Sequence, residues 1–363
     1  MNIISRFKLS AVLALVGVFV FSSCRKDKEA EPYVQVTSGV FVLNEGGWGA
    51  NNASLSYFDF GSGAVTANIY SSANPQIGTL GDLAQDMHVY GSKMYIVVGG
   101  SEIVEVVDKN SIKSIKTIEM DGTSPKNITS ANGKIFISAQ DDKVYVIDTV
   151  SLNIQKSIPV GKEPAHMAVV GNKLYVTNSG EYNHPTYDNT ISVIDLTTLT
   201  ELTKFTVDIN MSHIEADQYG DLYVVSRGRS YGTEPLVNSK LYVINSTTGS
   251  IKKVFDFEIT SLTIHNDIAY TYTFSYISGE KSYRVLDVKN ETVISQSLIT
   301  DGTASTIQTP YGIGVDPVSG DVYIADAKDY VNAGKVFAYD KTGKQKYSFT
   351  AGPLPSGFSF VVK

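Results

Sequence analysis

Two histidines, a carboxylate and an amide fall at one equivalent position in four successive repeats of this 363-residue chain. They are Asp86 in Q-D-M-H, Asn127 in K-N-I-T, His166 in A-H-M-A and His213 in S-H-I-E. Such groups donate and accept hydrogen bonds, and imidazole also exchanges protons near neutral pH or ligates metals. The series continues through Ser261, Gly312 and Gly357, which predicts a rim that is polar on one side and open on the other. A rim of this kind orients a ligand or lines a water-filled channel. Two histidines without a third firm ligand do not define a metal site, so no metal or cofactor is assigned. His88 and His265 are read as structural.

Catalysis finds less support in the residues. The chain has no G-x-S-x-G and no H-E-x-x-H, and the G-x-G at Gly312 to Gly314 lies in a strand-like run rather than a phosphate loop. A calcium-dependent hydrolase needs convergent Glu, Asn and Asp at one mouth. Glu45, Asp86, Asn127, Asn178 and Asp326 supply the types, but their spacing follows the repeat rather than a motif. No catalytic residue is assigned, and the chain is read as a binding protein rather than an enzyme.

The elements that position these residues come from a phrase said seven times. A strand-like run ending in Asp or Asn closes at Asp59, Asp108, Asp148, Asp195, Asn245, Asp287 and Asp340, at intervals of 40 to 53 residues. Within a unit such as Glu163 to Val207 four strands alternate with turns, and Gly or Asn in the first turn supplies the φ > 0 that tight hairpins need. Four strands at that period define an all-β, seven-bladed β-propeller of four-stranded antiparallel blades. The first unit lacks an inner strand, and Gly357 to Val362 has the inner-strand pattern with no blade after it. The N- and C-terminal strands are therefore expected to share one blade and close the ring, which removes two sheet edges. Each closing Asp is expected to bond into the turn that follows it.

Propeller geometry puts the loops between second and third strands on the same face as the loops between blades. These vary in length, whereas the turns of the opposite face stay short, so the loop face is the candidate working surface. It carries Trp48, Tyr182, Tyr187, Arg227, Tyr231, Tyr276 and Tyr330, with His184 and Arg229. Aromatic and Arg side chains give large contact area at low entropic cost. Together with Asp86, Asn127, His166 and His213 they form the expected ligand-binding set. The composition excludes other classes. Net charge is −7, with charged residues 18% and hydrophobic residues 42% of the chain, so it is neither disordered nor built for nucleic acid.

The N-terminus reads as a targeting segment. Arg6 and Lys8 precede the mostly apolar Leu9 to Phe21, and F-S-S-C ends at Cys24, the one cysteine of the chain. Small residues before a lone Cys resemble a bacterial lipobox, although Phe21 stands where Leu is usual. The resemblance implies a signal peptide over 1–23, lipid on Cys24, a charged tether over 24–38 containing R-K-D-K-E-A-E, and the propeller over 39–363.

The stretch L-Y-V-T-N through I-S-V-I-D-L-T-T, at Leu174 to Thr198, resembles the YVTN-type propeller repeat. The opening G-V-F-V-L-N-E-G-G-W-G at Gly39 to Gly49 resembles surface propeller lipoproteins of Bacteroidetes. Some members of that group capture cobalamin and related corrinoids beside a TonB-dependent outer-membrane transporter. The resemblance implies a lipid-anchored outer-membrane protein, displayed at the cell surface, that takes a corrinoid or other small molecule on its loop face. A glycan or surface polymer on the same face is the alternative. Palmitate labelling tests the anchor: the full chain is expected to take up label and Cys24→Ala to take up none.

Overall fold

The apolar runs that recur in the sequence are strands buried on both faces. Lys93–Val98 shows how: Met94, Ile96 and Val98 enter one hydrophobic cluster, while Tyr95 and Val97, on the other side of the pleat, enter the next. A strand with packed neighbours above and below is apolar throughout, which explains runs such as K-M-Y-I-V-V and K-L-Y-V-T-N. The structure, a computed structural model, describes residues 35–230, 232 and 234–363. The expected leader, Cys24 and most of the tether, and also Tyr231, lie outside the described residues.

These residues form seven four-stranded antiparallel sheets, the blades of a propeller. The inner strands of blades 2 to 7 are Ala84–Tyr90, Pro125–Ala131, Pro164–Val170, Met211–Ala216, Ser261–His265 and Pro310–Val315. Blade 1 takes its inner strand, Pro355–Val362, from the far end of the chain and its second strand, Thr37–Asn44, from the near end. The two pair antiparallel, with Val40 opposite Phe360 and Val42 opposite Phe358. Backbone bonds between Val36 and Lys363, at 3.0 and 2.9 Å, extend the seam. Pairing begins at Thr37, two residues ahead of the expected domain start. Among the described residues seven hydrophobic clusters each join one blade to the next, the last joining blade 7 to blade 1 through Val40, Val42, Phe58, Tyr323 and Phe349.

The repeated Asp does what its position suggests. Asp108 Oδ1 accepts from the N–H and hydroxyl of Ser111, both at 2.9 Å, and Asp148 does the same with Ser151. Asp195 accepts from the Thr198 N–H at 2.8 Å, and Asn245 holds Thr248 at 2.9 Å. These bonds hold Asp108, Asp148 and Asp195 below the usual carboxylate range. One feature departs from the repeat. The outer strand of blade 1 is Val65–Thr66 alone, and a short helix, Ile69–Ala73, follows it. The helix buries Tyr70, whose hydroxyl donates to Glu105 at 3.1 Å.

Near its loop end each inner strand of blades 2, 3, 4, 5 and 7 slips register against its second strand, as between Pro125 and Asn127 or Pro164 and Met167. A bulge leaves backbone groups unpaired in a buried place. Hydroxyls on the second strand repair it. Ser138 Oγ accepts from Asn127 N–H at 3.2 Å and donates to Ala165 O of the next blade at 2.6 Å. Thr177 Oγ1 accepts from His166 N–H at 3.1 Å and donates to Ser212 O of the next blade at 2.7 Å. The same side chain thus mends one blade and latches its neighbour. Thr177→Val keeps the shape and removes both bonds, so it is expected to lower unfolding free energy by about 1–3 kcal/mol in a denaturant titration.

Candidate functional site

At the bulges of blades 2 to 5 stand Asp86, Asn127, His166 and His213. Asp86 of blade 2 accepts from Asn127 Nδ2 at 2.6 Å and from the backbone N–H of Ile128 at 3.0 Å, both in blade 3. Asn127 donates in turn to His166 Nδ1 of blade 4 at 3.2 Å. The His166 and His213 rings lie 4.5 Å apart, centre to centre. His213 Nε2 lies 3.3 Å from Glu215 in blade 5, and Glu215 accepts from Ile264 N–H of blade 6 at 2.7 Å. The four sequence-selected residues therefore form one polar line that extends across five inner strands.

Burial sets the charge along that line. It pushes the Asp86 carboxyl up to about 7, against the lowering effect of the Ile128 and Met87 N–H groups, the nearby His213 and Asn127. Burial also holds His166 well below its ordinary value, and the charges of His213, Arg227 and Lys126 act the same way. A neutral His166 matches its role as acceptor at Nδ1.

The opposite side of the mouth corrects the expectation of an open rim. Gly312 is a glycine because a Cβ there would sit 2.3 Å from the Ser356 carbonyl oxygen, where blade 7 meets the closing strand. The polarity comes from the adjacent residue. Tyr311 donates from its hydroxyl to Glu45 at 2.5 Å, and burial raises the Glu45 carboxyl above its usual range. Tyr330, held at φ +66, stands edge-on to Tyr311 at 6.2 Å and stacks with Tyr276 at 6.4 Å.

Around this mouth the loop residues take different stations. Trp48 is 86% exposed, Tyr276 69% and Tyr182 66%. The Trp48 loop is fixed by Asp82, which accepts from the N–H groups of Gly49 at 3.0 Å and Asn51 at 3.4 Å. Arg227 donates to Glu181 at 3.0 Å, and its charge reaches Lys126, His166 and Tyr272. Tyr187 departs from the expectation of a contact surface. It is buried, with His184 edge-on at 5.8 Å and Arg229 over its ring at 5.9 Å, and so supports the loop from within. Asn178 and Asp326, from the hydrolase-type set, are also buried: the Asn178 amide nitrogen donates to Thr190 and Ser192, and Asp326 accepts from the N–H groups of Gln308 and Thr309. Of that set, Asp86 and Asn127 bond to each other. Among the described residues no group of three or more His, Cys, Asp or Glu is placed to hold a metal ion.

Sequence reasoning missed Lys126 and Glu181. Lys126 lies one residue before the selected polar position, inside the bulge between Pro125 and Asn127. Two hollows lie away from the mouth. One, about 770 Å³, is on the turn face between Phe58, Phe60, Val318, Lys346 and Phe349. The other, about 690 Å³, is at the rim of the loop face between Phe257, Thr273, Lys281 and Arg284.

Residues 38–352 match the family described as Domain of unknown function (DUF5074), and the chain belongs to that family. Its fold is similar to three solved propellers. A quinonprotein alcohol dehydrogenase-like protein from Bacteroides thetaiotaomicron is 17% identical with a TM-score of 0.62, over 89% of this chain and 78% of that one. Kuenenia stuttgartiensis hydrazine synthase is 17% identical with a TM-score of 0.54, over 69% and 74%. The Neurospora crassa Pan2 WD40 domain is 12% identical with a TM-score of 0.54, over 76% and 80%. At these identities the likeness is one of fold. No curated protein matches the chain.

The Asp86 environment has a measurable consequence. Folded Asp86 keeps its proton up to about pH 7, whereas its ordinary value is 3.8. Between those values the folded state binds the extra proton, so stability falls as pH rises through the window. Asp86→Asn removes the titrating group. Melting temperatures of the variant are expected to fall less than those of the parent between pH 4 and pH 7.

Proposed function

We propose that the protein is a binding module that takes a small-molecule ligand across the channel mouth of its loop face. One observation carries this reading. Exposed aromatics on separate loops, Trp48, Tyr182 and Tyr276, share a face with the largely half-buried polar line of Asp86, Asn127, His166 and His213. Apolar contact area with a few fixed polar groups is the usual make-up of a ligand site. The polar groups are engaged with one another and with backbone, an arrangement suited to orienting a ligand rather than to turning it over.

The ligand class we put first is a corrinoid, for which the support is the likeness of the opening segment to surface propeller lipoproteins of Bacteroidetes, some of which capture corrinoids. A large, flat, amide-fringed molecule suits a broad mouth ringed by tyrosines. In the same reading Cys24 anchors the protein by lipid to the outer membrane, and the captured molecule passes to a TonB-dependent transporter. Among the described residues no helix is long and apolar enough to cross a membrane.

Calorimetry with cobalamin and cobinamide tests the assignment. One-to-one binding is expected, and Trp48→Ala is expected to weaken it about tenfold. No heat at high micromolar ligand contradicts the corrinoid, and a glycan array then tests the alternative.

A further inference from the structure

Lys126 carries a buried ammonium with no hydrogen-bond partner among the described residues. A carboxylate oxygen of Glu181 is 3.8 Å away, beyond hydrogen-bond range, and the centre of the Tyr182 ring is 4.9 Å away. Burial lowers the Lys126 pKa, while Glu181 and Glu163 oppose that shift and Arg227 adds to it. The other oxygen of Glu181 takes its bond from Arg227 at 3.0 Å. One carboxylate is thus divided between two cations and satisfies only one. One oxygen of Glu163, the other nearby carboxylate, accepts from the Tyr182 N–H at 2.6 Å.

We propose that Lys126 and Arg227 form a seat for an oxyanion, a carboxylate or phosphate carried by the ligand of this face, and that Glu181 is its displaceable internal occupant. The proposal rests on the loop face being the ligand-binding face and adds the chemistry that the ligand must carry. An ammonium offers three donors and a guanidinium a planar fork, and an oxyanion with several acceptors meets both where Glu181 meets one. Glu181 stands on the loop between Asn178 and Thr190, and its side chain is 37% exposed, against 13% for Lys126. A half-exposed ion pair holds its partner weakly, so Glu181 can turn out to water while Lys126 stays. His166 does not compete, because its Nδ1 already accepts from Asn127.

Inorganic phosphate and acetate, titrated separately at low salt into the full-length chain, test the seat. Glu181→Gln is expected to bind one of them about five- to tenfold more tightly than the parent. The double variant with Lys126→Met is expected to lose that gain, and the double variant with Lys126→Arg, which keeps the charge and controls for folding, to retain it. Which ion gains identifies the oxyanion. Equal affinity for both ions in the parent and Glu181→Gln overturns the proposal, as does a gain that survives Lys126→Met. These ions are independent of the larger ligand. A parent that binds cobalamin, with a Glu181→Gln variant that gains nothing for either ion, sinks the seat and leaves the loop-face reading intact.

Discussion

Every inner strand of a propeller has to approach a common axis, and in this chain most of them do so by bulging near the loop face. A bulge strips backbone groups of their ladder partners, and each group left unpaired in a buried place costs on the order of 1–3 kcal/mol. The rest of the architecture answers that cost. Ser138 and Thr177 mend their own blades and reach into the next, and Asp86 and Glu215 accept from Ile128 and Ile264 across the blade boundary. The polar line at the mouth is therefore first a structural device. The ligand role we propose for it follows from where the device has to sit.

The same constraint explains the division of labour between the faces. On the turn face, Asp and Asn residues bond within their own turns, and the turns stay short because nothing else is required of them. On the loop face the backbone needs are met by the second strands and the inner rim. The loops above are left to vary, and they present Trp48, Tyr182 and Tyr276 to solvent while Tyr187 and Arg229 brace one of them from inside.

The fold was legible because its signals are local and repeated. The closing Asp, the Gly or Asn turns and the doubly buried second strands recur in each unit, and the mismatch between the two chain ends identified the shared blade. The four-residue polar line was legible for the same reason, as one position read down a repeat. What escaped depends on single blades. Gly312 reads as an opening until the Ser356 carbonyl is seen against it, and Tyr311 with Glu45 fills the side that glycine appeared to leave bare. Lys126 is offset by one residue from the repeat position, and it meets Glu181 and Tyr182 of the next blade's loop. Tyr187 and Tyr182 belong to the same loop with opposite burial, a distinction that loop composition does not encode.

The central claim is that ligand meets this protein on the loop face. Hydrogen exchange, with and without saturating cobinamide, tests it most directly. The account predicts slowed exchange in the segments 45–53, 179–189, 227–239, 275–280 and 327–332, with the short turns of the opposite face unchanged. Slowing confined to those turns, or to the hollow bounded by Phe58, Lys346 and Phe349, would contradict it.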